Sequence, residues 1–228
     1  MQNIFQKKYL VRCLILVISM IFSGLGMTIM RFSCMGTEPF SCLNYSISEK
    51  FGIPMTVSVI AINGVLLIFC LIHYRASFGI GTLLIVFLLG ITGDFWKDLF
   101  IQIIGYQVSY IGLEKLLLRL CLMGLGMVIM VFFNSFCIAA GLGMAPYDAF
   151  SYAIEKMSSR KILFRYTRVI TDFTCVLIAF LLSSTMGTQW ELIGIGTVTM
   201  ACGIGTLLSW LTKHVAEPFY MKLDERFR

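Results

Sequence analysis

Charge is scarce in this sequence. Only 13% of its 228 residues are charged, 58% are apolar, and the mean hydropathy is +0.88. Soluble domains carry roughly 25% charged residues, so a water-soluble globular fold is excluded and the chain reads as an integral membrane protein. Histidine is scarcer still. His73 and His214 lie far apart, and no cysteine pair has zinc-ligand spacing, so neither a metal site nor a metal cofactor is expected. A basic stripe is missing, which removes nucleic acid as a partner. There is no nucleophile elbow, His-rich metal signature or phosphate loop, and the chain is expected to be neither an enzyme nor a carrier of any cofactor.

What is present is apolar length. Stretches at 10–31, 54–74, 78–94, 116–140, 164–186 and 192–213 each approach the roughly 20 residues that cross a bilayer. The third is short before Asp94 and can continue toward Ile104, and Tyr106 and Tyr110 leave residues 95–113 open to spanning, re-entering or lying in the interface. The fold class is therefore all-α, a single membrane domain over 1–228 with about six spans. Lys7, Lys8 and Arg12 precede an apolar run that continues to Met30 without a small-x-small cleavage site, which predicts a retained first span.

Basic residues set an orientation. With a cytoplasmic N-terminus, thirteen of the eighteen Lys and Arg fall inside, among them Arg75, Lys156, Arg160, Lys161, Arg165 and Arg168, and five fall outside: Arg31, Lys50, Lys97, Lys115 and Arg119. Both termini are then cytoplasmic, with 214–228 a cytoplasmic tail, and Trp96, Trp190 and Trp210 sit near span ends as anchors. Six of the eight cysteines fall within apolar stretches and act as small hydrophobes. Cys34 and Cys42 lie near one surface, where a disulfide is possible.

The chain also repeats itself. Gly36-Thr37-Glu38-Pro39-Phe40, followed by Tyr45, returns as Gly143-Met144-Ala145-Pro146-Tyr147, followed by Tyr152. Gly79-Ile80-Gly81-Thr82 returns as Gly194-Ile195-Gly196-Thr197. From Arg12/Arg119 to Tyr45/Tyr152 the offset is 107, while Gly24-Leu25-Gly26-Met27 matches Gly124-Leu125-Gly126-Met127 at an offset of 100. The two alignments of the first span conflict, and the ungapped one is preferred. Repeat one is 10–104 and repeat two 113–213, each with three spans. An odd number of spans inverts the second half relative to the first, an architecture common among secondary transporters.

These residues resemble the bacterial YczE/YitT-type membrane proteins: the Gly-x-x-Pro segments, Asn63, Gly79-x-Gly81-Thr82, Gly90 and Asp94 in the first half, and Asp148, Arg168, Asp172 and Gly194-x-Gly196-Thr197 in the second. Met200-Ala201-Cys202 departs from that pattern. The resemblance implies a bacterial plasma-membrane protein of a largely uncharacterised family, and implies no function.

Several residues are candidates for a site. Pro39 and Pro146 read as first-turn prolines of short helices ending near Lys50 and Lys156. These are either half helices whose N-termini face a ligand or interfacial helices that join spans. Asp172 lies about two turns into the fifth span with Arg168 four residues earlier, within pairing reach on one helix face. An acid at that depth either binds a proton or cation or belongs to a structural ion pair. Asn63 is the neutral counterpart in the second span. Tyr45 and Tyr152 accompany the short helices, and Asp94 with Asp98 marks either the mouth of a cation path or a solvated helix end. Asp148 complements the dipole of its helix, and Arg119 is expected to snorkel to the surface. Gly79, Gly81, Thr82, Gly194, Gly196 and Thr197 are expected to pack helices closely. The reading is a small secondary transporter of an unknown solute or ion, in contact with the lipid bilayer and able to form a homodimer. The alternative is a non-transporting accessory or solute-binding subunit that needs a partner.

Overall fold

A computed structural model describes residues 2–73, 78–104, 115–158, 164–187 and 192–226. The expectations for Arg75, Tyr106, Tyr110, Arg160, Lys161, Trp190 and the junction at 105–113 fall outside these residues, as does the side chain of Arg165. The chain forms α1 (Gln2–Phe32), α2 (Pro39–Phe51), α3 (Met55–His73), α4 (Ile80–Ile104), α5 (Leu116–Ala139), α6 (Pro146–Met157), α7 (Phe164–Ser184), α8 (Ile195–Leu211), a π turn (Thr212–Ala216) and α9 (Glu217–Arg226). No strand occurs among the described residues.

Among the described residues, five helical stretches are long and apolar enough to cross a membrane: those within α1, α3, α5 and α7, and the run from Ile195 to Arg226. Their outward faces carry bare apolar side chains, with Leu117 77%, Val65 69% and Phe173 68% exposed. Such a surface fits lipid and not water. The chain is a helical membrane protein. α4 continues past Asp94 to Ile104, the extension the sequence allowed, with Asp94, Lys97 and Asp98 in its C-terminal half.

At the centre α1 packs along α5 in antiparallel fashion. Phe22 stacks on Phe133 at 4.8 Å, and Ser23 Oγ donates to Asn134 Oδ1 at 2.8 Å. Gly26 and Gly126 bring the two backbones together, because a Cβ on either would lie 2.6 Å from the other's carbonyl oxygen. Both offsets in the sequence therefore have a structural use. They differ by seven residues, about two helical turns, which leaves the same helix face in contact. Around the crossing lies a methionine-rich core of Met27, Met30, Met55, Met130 and Met200 with Tyr45 and Val59.

The short helices begin where expected. Pro39 and Pro146 each occupy the first turn, after an extended residue. α2 ends at Gly52, which adopts φ +61 and donates its N–H to Ser48 O, the usual glycine stop. α2 is buried from Pro39 through Ser46 and again at Ser48, while its end at Glu49, Lys50 and Phe51 is exposed. Its first two turns are enclosed by protein. α6 buries only one face, through Pro146, Tyr147, Ala149, Ser151 and Ala153.

Of the tail at 214–228, residues 214–226 are helical, continuing α8 as the π turn and α9, with Tyr220 buried. Cys34 and Cys42 are both buried and form no disulfide, and Cys42 Sγ donates to Leu192 O at 3.0 Å.

Candidate functional site

Each Gly-x-x-Pro loop docks on the Gly-Ile-Gly-Thr segment of the other half. Gly196 N–H donates to Met35 O at 2.8 Å, and Gly81 N–H donates to Leu142 O at 3.0 Å. Gly36 has φ +99 and Gly143 φ +133, and a Cβ on either would lie 2.5 Å from a threonine hydroxyl, that of Thr197 or Thr82. Gly79 and Gly194 are equally tight from the other side, against Leu142 O and Met35 O. Thr82 Oγ1 donates to Met144 O at 3.0 Å, while Thr197 Oγ1 lies 3.4 Å from Leu192 O, which also takes Thr37 N–H.

Two arginines latch these loops reciprocally. Arg12 donates to Ala140 O at 2.8 Å, and Arg119 donates to Ser33 O at 2.9 Å and to Cys34 O. Ser33 and Ala140 are themselves 107 residues apart, as are the two arginines. The Arg119 guanidinium satisfies carbonyls just past the C-terminus of α1.

The loops deliver the first turns of α2 and α6 to one another. Phe40 and Tyr147, each the residue after its proline, pack ring against ring in a tilted arrangement at 4.5 Å. Around them gathers a charged cluster. Tyr147 OH donates to Asp172 Oδ1 at 2.6 Å, and Arg168 Nε lies 3.3 Å from the same oxygen. Arg168 also pairs with Asp148, and its guanidinium stands 4.4 Å over the Tyr147 ring. Glu38 accepts from Ser41 Oγ at 2.9 Å and lies within electrostatic range of Arg168, Asp148 and Asp172. Asp172 is only 4% exposed. Two carboxylates, Asp148 and Asp172, thus share one arginine, with Glu38 nearby and the positive ends of two helix dipoles beside them. Such a cluster can hold or release a proton, or bind a small charged group. Among the described residues no group of three His, Cys, Asp or Glu could hold a metal ion.

The remaining candidates lie elsewhere. Asn63 is buried but its amide donates to Val59 O in its own helix at 3.0 Å. Tyr45 is buried in the methionine core, with the Arg31 guanidinium 5.9 Å from its ring, and Tyr152 is half-buried on α6. Asp94 caps α3, accepting Met55 N–H at 2.9 Å, Thr56 N–H at 2.8 Å and Thr56 Oγ1 at 2.7 Å. Both its oxygens are committed, and Lys97 stands 3.4 Å away, so Asp94 serves the fold where it borders a cleft of about 400 Å³ with Glu49 and Asp98. Sequence reasoning missed Glu38 and Tyr147. Both lie inside the repeated motif, and the aromatic residue after each proline was the available signal.

Residues 10–213 match a family described as a family of unknown function (DUF6198). The chain belongs to this family. The match takes in both Gly-x-x-Pro loops, both Gly-Ile-Gly-Thr segments and the whole charged cluster; it stops short of α9. "Uncharacterized protein YyaS" of Bacillus subtilis (strain 168) is 29% identical over 209 residues, covering 92% of this chain and 96% of that protein. No solved structure matches. Nothing in these matches carries the YczE/YitT-type name, so the DUF6198 assignment stands in place of that resemblance.

Proposed function

We propose that this chain is a small transporter of a solute or ion, with its site where α2 and α6 meet. The observation that carries this reading is the contact of the Phe40 and Tyr147 rings beside the buried Asp172, since it brings two helix N-termini and a charged cluster to one point. Half helices that end inside a bundle, with N-termini aimed at a common centre, are a recurring way to bind substrate in a membrane. α4 completes six spans with α1, α3, α5, α7 and α8 in this reading, three in each half. The reciprocal arginine latches and the exchanged loop contacts support inverted halves, because each contact in one half has a counterpart in the other. The bias of basic residues supports a plasma membrane with both termini in the cytoplasm.

In this mechanism Asp172 is the acid that binds substrate or the coupling ion, Tyr147 orients it, and Arg168 balances charge among Asp172, Asp148 and Glu38. Displacement of either loop from the opposite Gly-Ile-Gly-Thr segment would open the centre to one side. The test begins with a thermal-shift screen of purified protein against metabolites and ions. A ligand at about 100 times its Kd adds about 2.7 kcal/mol of stability. Asp172→Asn is expected to abolish that gain and the flux of the same ligand into proteoliposomes. Full flux through Asp172→Asn would refute the site. Tight binding by the purified chain with no flux in empty vesicles would favour a solute-binding subunit.

A further inference from the structure

The second loop is held by a device that the first does not share. α8 runs into the π turn at Thr212–Ala216, where Glu217 N–H bonds back to Thr212 O. An extra residue in a helical turn rotates everything after it by about 100°, which turns α9 toward α5. Pro218, which has no N–H to donate, directly follows the residue that closes the π turn. Tyr220 is then buried, its hydroxyl donating to Phe136 O at 3.2 Å and its ring 5.2 Å from the Arg12 guanidinium. One turn on, Asp224 Oδ2 accepts Arg12 at 2.9 Å and Lys8 at 2.8 Å.

Arg12 is thus gripped from both sides. One nitrogen holds Asp224 of α9, and another holds Ala140 O at the start of the loop that leads to Pro146, Tyr147 and Asp148. The counterpart arginine, Arg119, holds its loop with no carboxylate partner among the described residues. α9 also lies beyond the residues that match the family. We propose that α9 is a strap that locks the Ala140–Ala145 loop through Asp224 and Arg12, and so holds one gate of the bundle shut. The gate rests on the transport reading; the lock does not.

Cys137 and Cys34 report the two loops separately. Cys137 is buried against Tyr220, Ala140 and Leu142, whereas Cys34 is buried where Arg119 holds the first loop. The purified full chain is treated with N-ethylmaleimide, and each cysteine is followed by peptide mass spectrometry. Asp224→Asn, which does not border Cys137 directly, is expected to raise the rate at Cys137 about tenfold and to leave Cys34 unchanged. Asp224→Glu should restore the slow rate. Equal Cys137 rates in the native chain and Asp224→Asn would overturn the strap, as would an equal rise at both cysteines, which reports general loosening. The measurement needs no substrate. A rise confined to Cys137 therefore supports the strap even if Asp172→Asn retains full flux and the transport reading fails.

Discussion

Alanine at Gly126 should force α1 and α5 apart, whereas alanine at Gly124, two residues earlier on the same helix, should not. A Cβ at Gly126 would lie 2.6 Å from Gly26 O and 2.9 Å from Met30 N, while a Cβ at Gly124 meets nothing within 4 Å. Ordinary contact begins near 3.4 Å, so the helices must separate by about 0.8 Å. The obstacles are backbone atoms, which no rotamer change can move. A gap of roughly 0.5–1 Å already forfeits a quarter to a half of the dispersion attraction between facing atoms. The centre of the antiparallel pair would feel this loss, including Met27, Met30, Met130 and Val131. Overpacking of this kind costs up to about 3 kcal/mol, and the better helix propensity of alanine returns about 1. Gly126→Ala should therefore destabilise by about 2 kcal/mol, and Gly124→Ala should be neutral or stabilise by up to about 1. Gly26→Ala should resemble Gly126→Ala, since its Cβ meets Gly126 O at 2.6 Å. The double variant should lose clearly less than the sum, because one separation relieves both clashes. Thermal unfolding in detergent, followed by cysteine exposure, reads all four proteins. Equal losses at Gly124 and Gly126, or strict additivity of the double variant, would refute the reasoning.

Other consequences follow from the loops and the cluster. Gly36→Ala and Gly143→Ala should each destabilise by about 3 kcal/mol, because both glycines combine a positive φ with a tight docking surface; thermal unfolding should show the two losses to be similar. Arg168→Gln should cost about 3–5 kcal/mol by stranding Asp172 and Asp148, and Tyr147→Phe about 1–2. Adding Asp172→Asn to Arg168→Gln should recover part of the loss, and a double-mutant cycle with no coupling would refute the shared cluster. Asp94→Ala should cost about 1–2 kcal/mol by uncapping α3, with faster hydrogen exchange at Met55 and Thr56 and unchanged exchange at α6.

The short helices were legible because their start signals are local. Pro39 and Pro146 fit only a first turn in a helix of normal geometry, and Gly52 stops α2 as glycine commonly does. The Arg168–Asp172 pair was legible for the same reason, as four residues make one helical step. Partners from other elements were not. Asp148 read as a dipole complement until Arg168 came to it from α7, and Asp94 read as a solvent-facing acid until α3 placed its free N–H groups there. Arg119 and Arg12 looked like span-end cations, and only the antiparallel α1–α5 pair brings the opposite loop's carbonyls within reach.

By itself, the sequence determined the membrane as solvent, the helical class, the positions of the apolar stretches and the doubling of the loop motifs. Composition and short-range periodicity carry those features, and no distant contact can reverse them. Tertiary structure alone decided that the repeated motifs clasp each other across the halves, that the first two turns of α2 are enclosed, that Tyr147 and Glu38 join Asp172, and that the last helix binds Arg12. These features depend on groups far apart in the chain being brought together, 25 residues apart for Tyr147 and Asp172 and 212 for Arg12 and Asp224. A buried polar group must find a partner somewhere, but its local sequence does not say where.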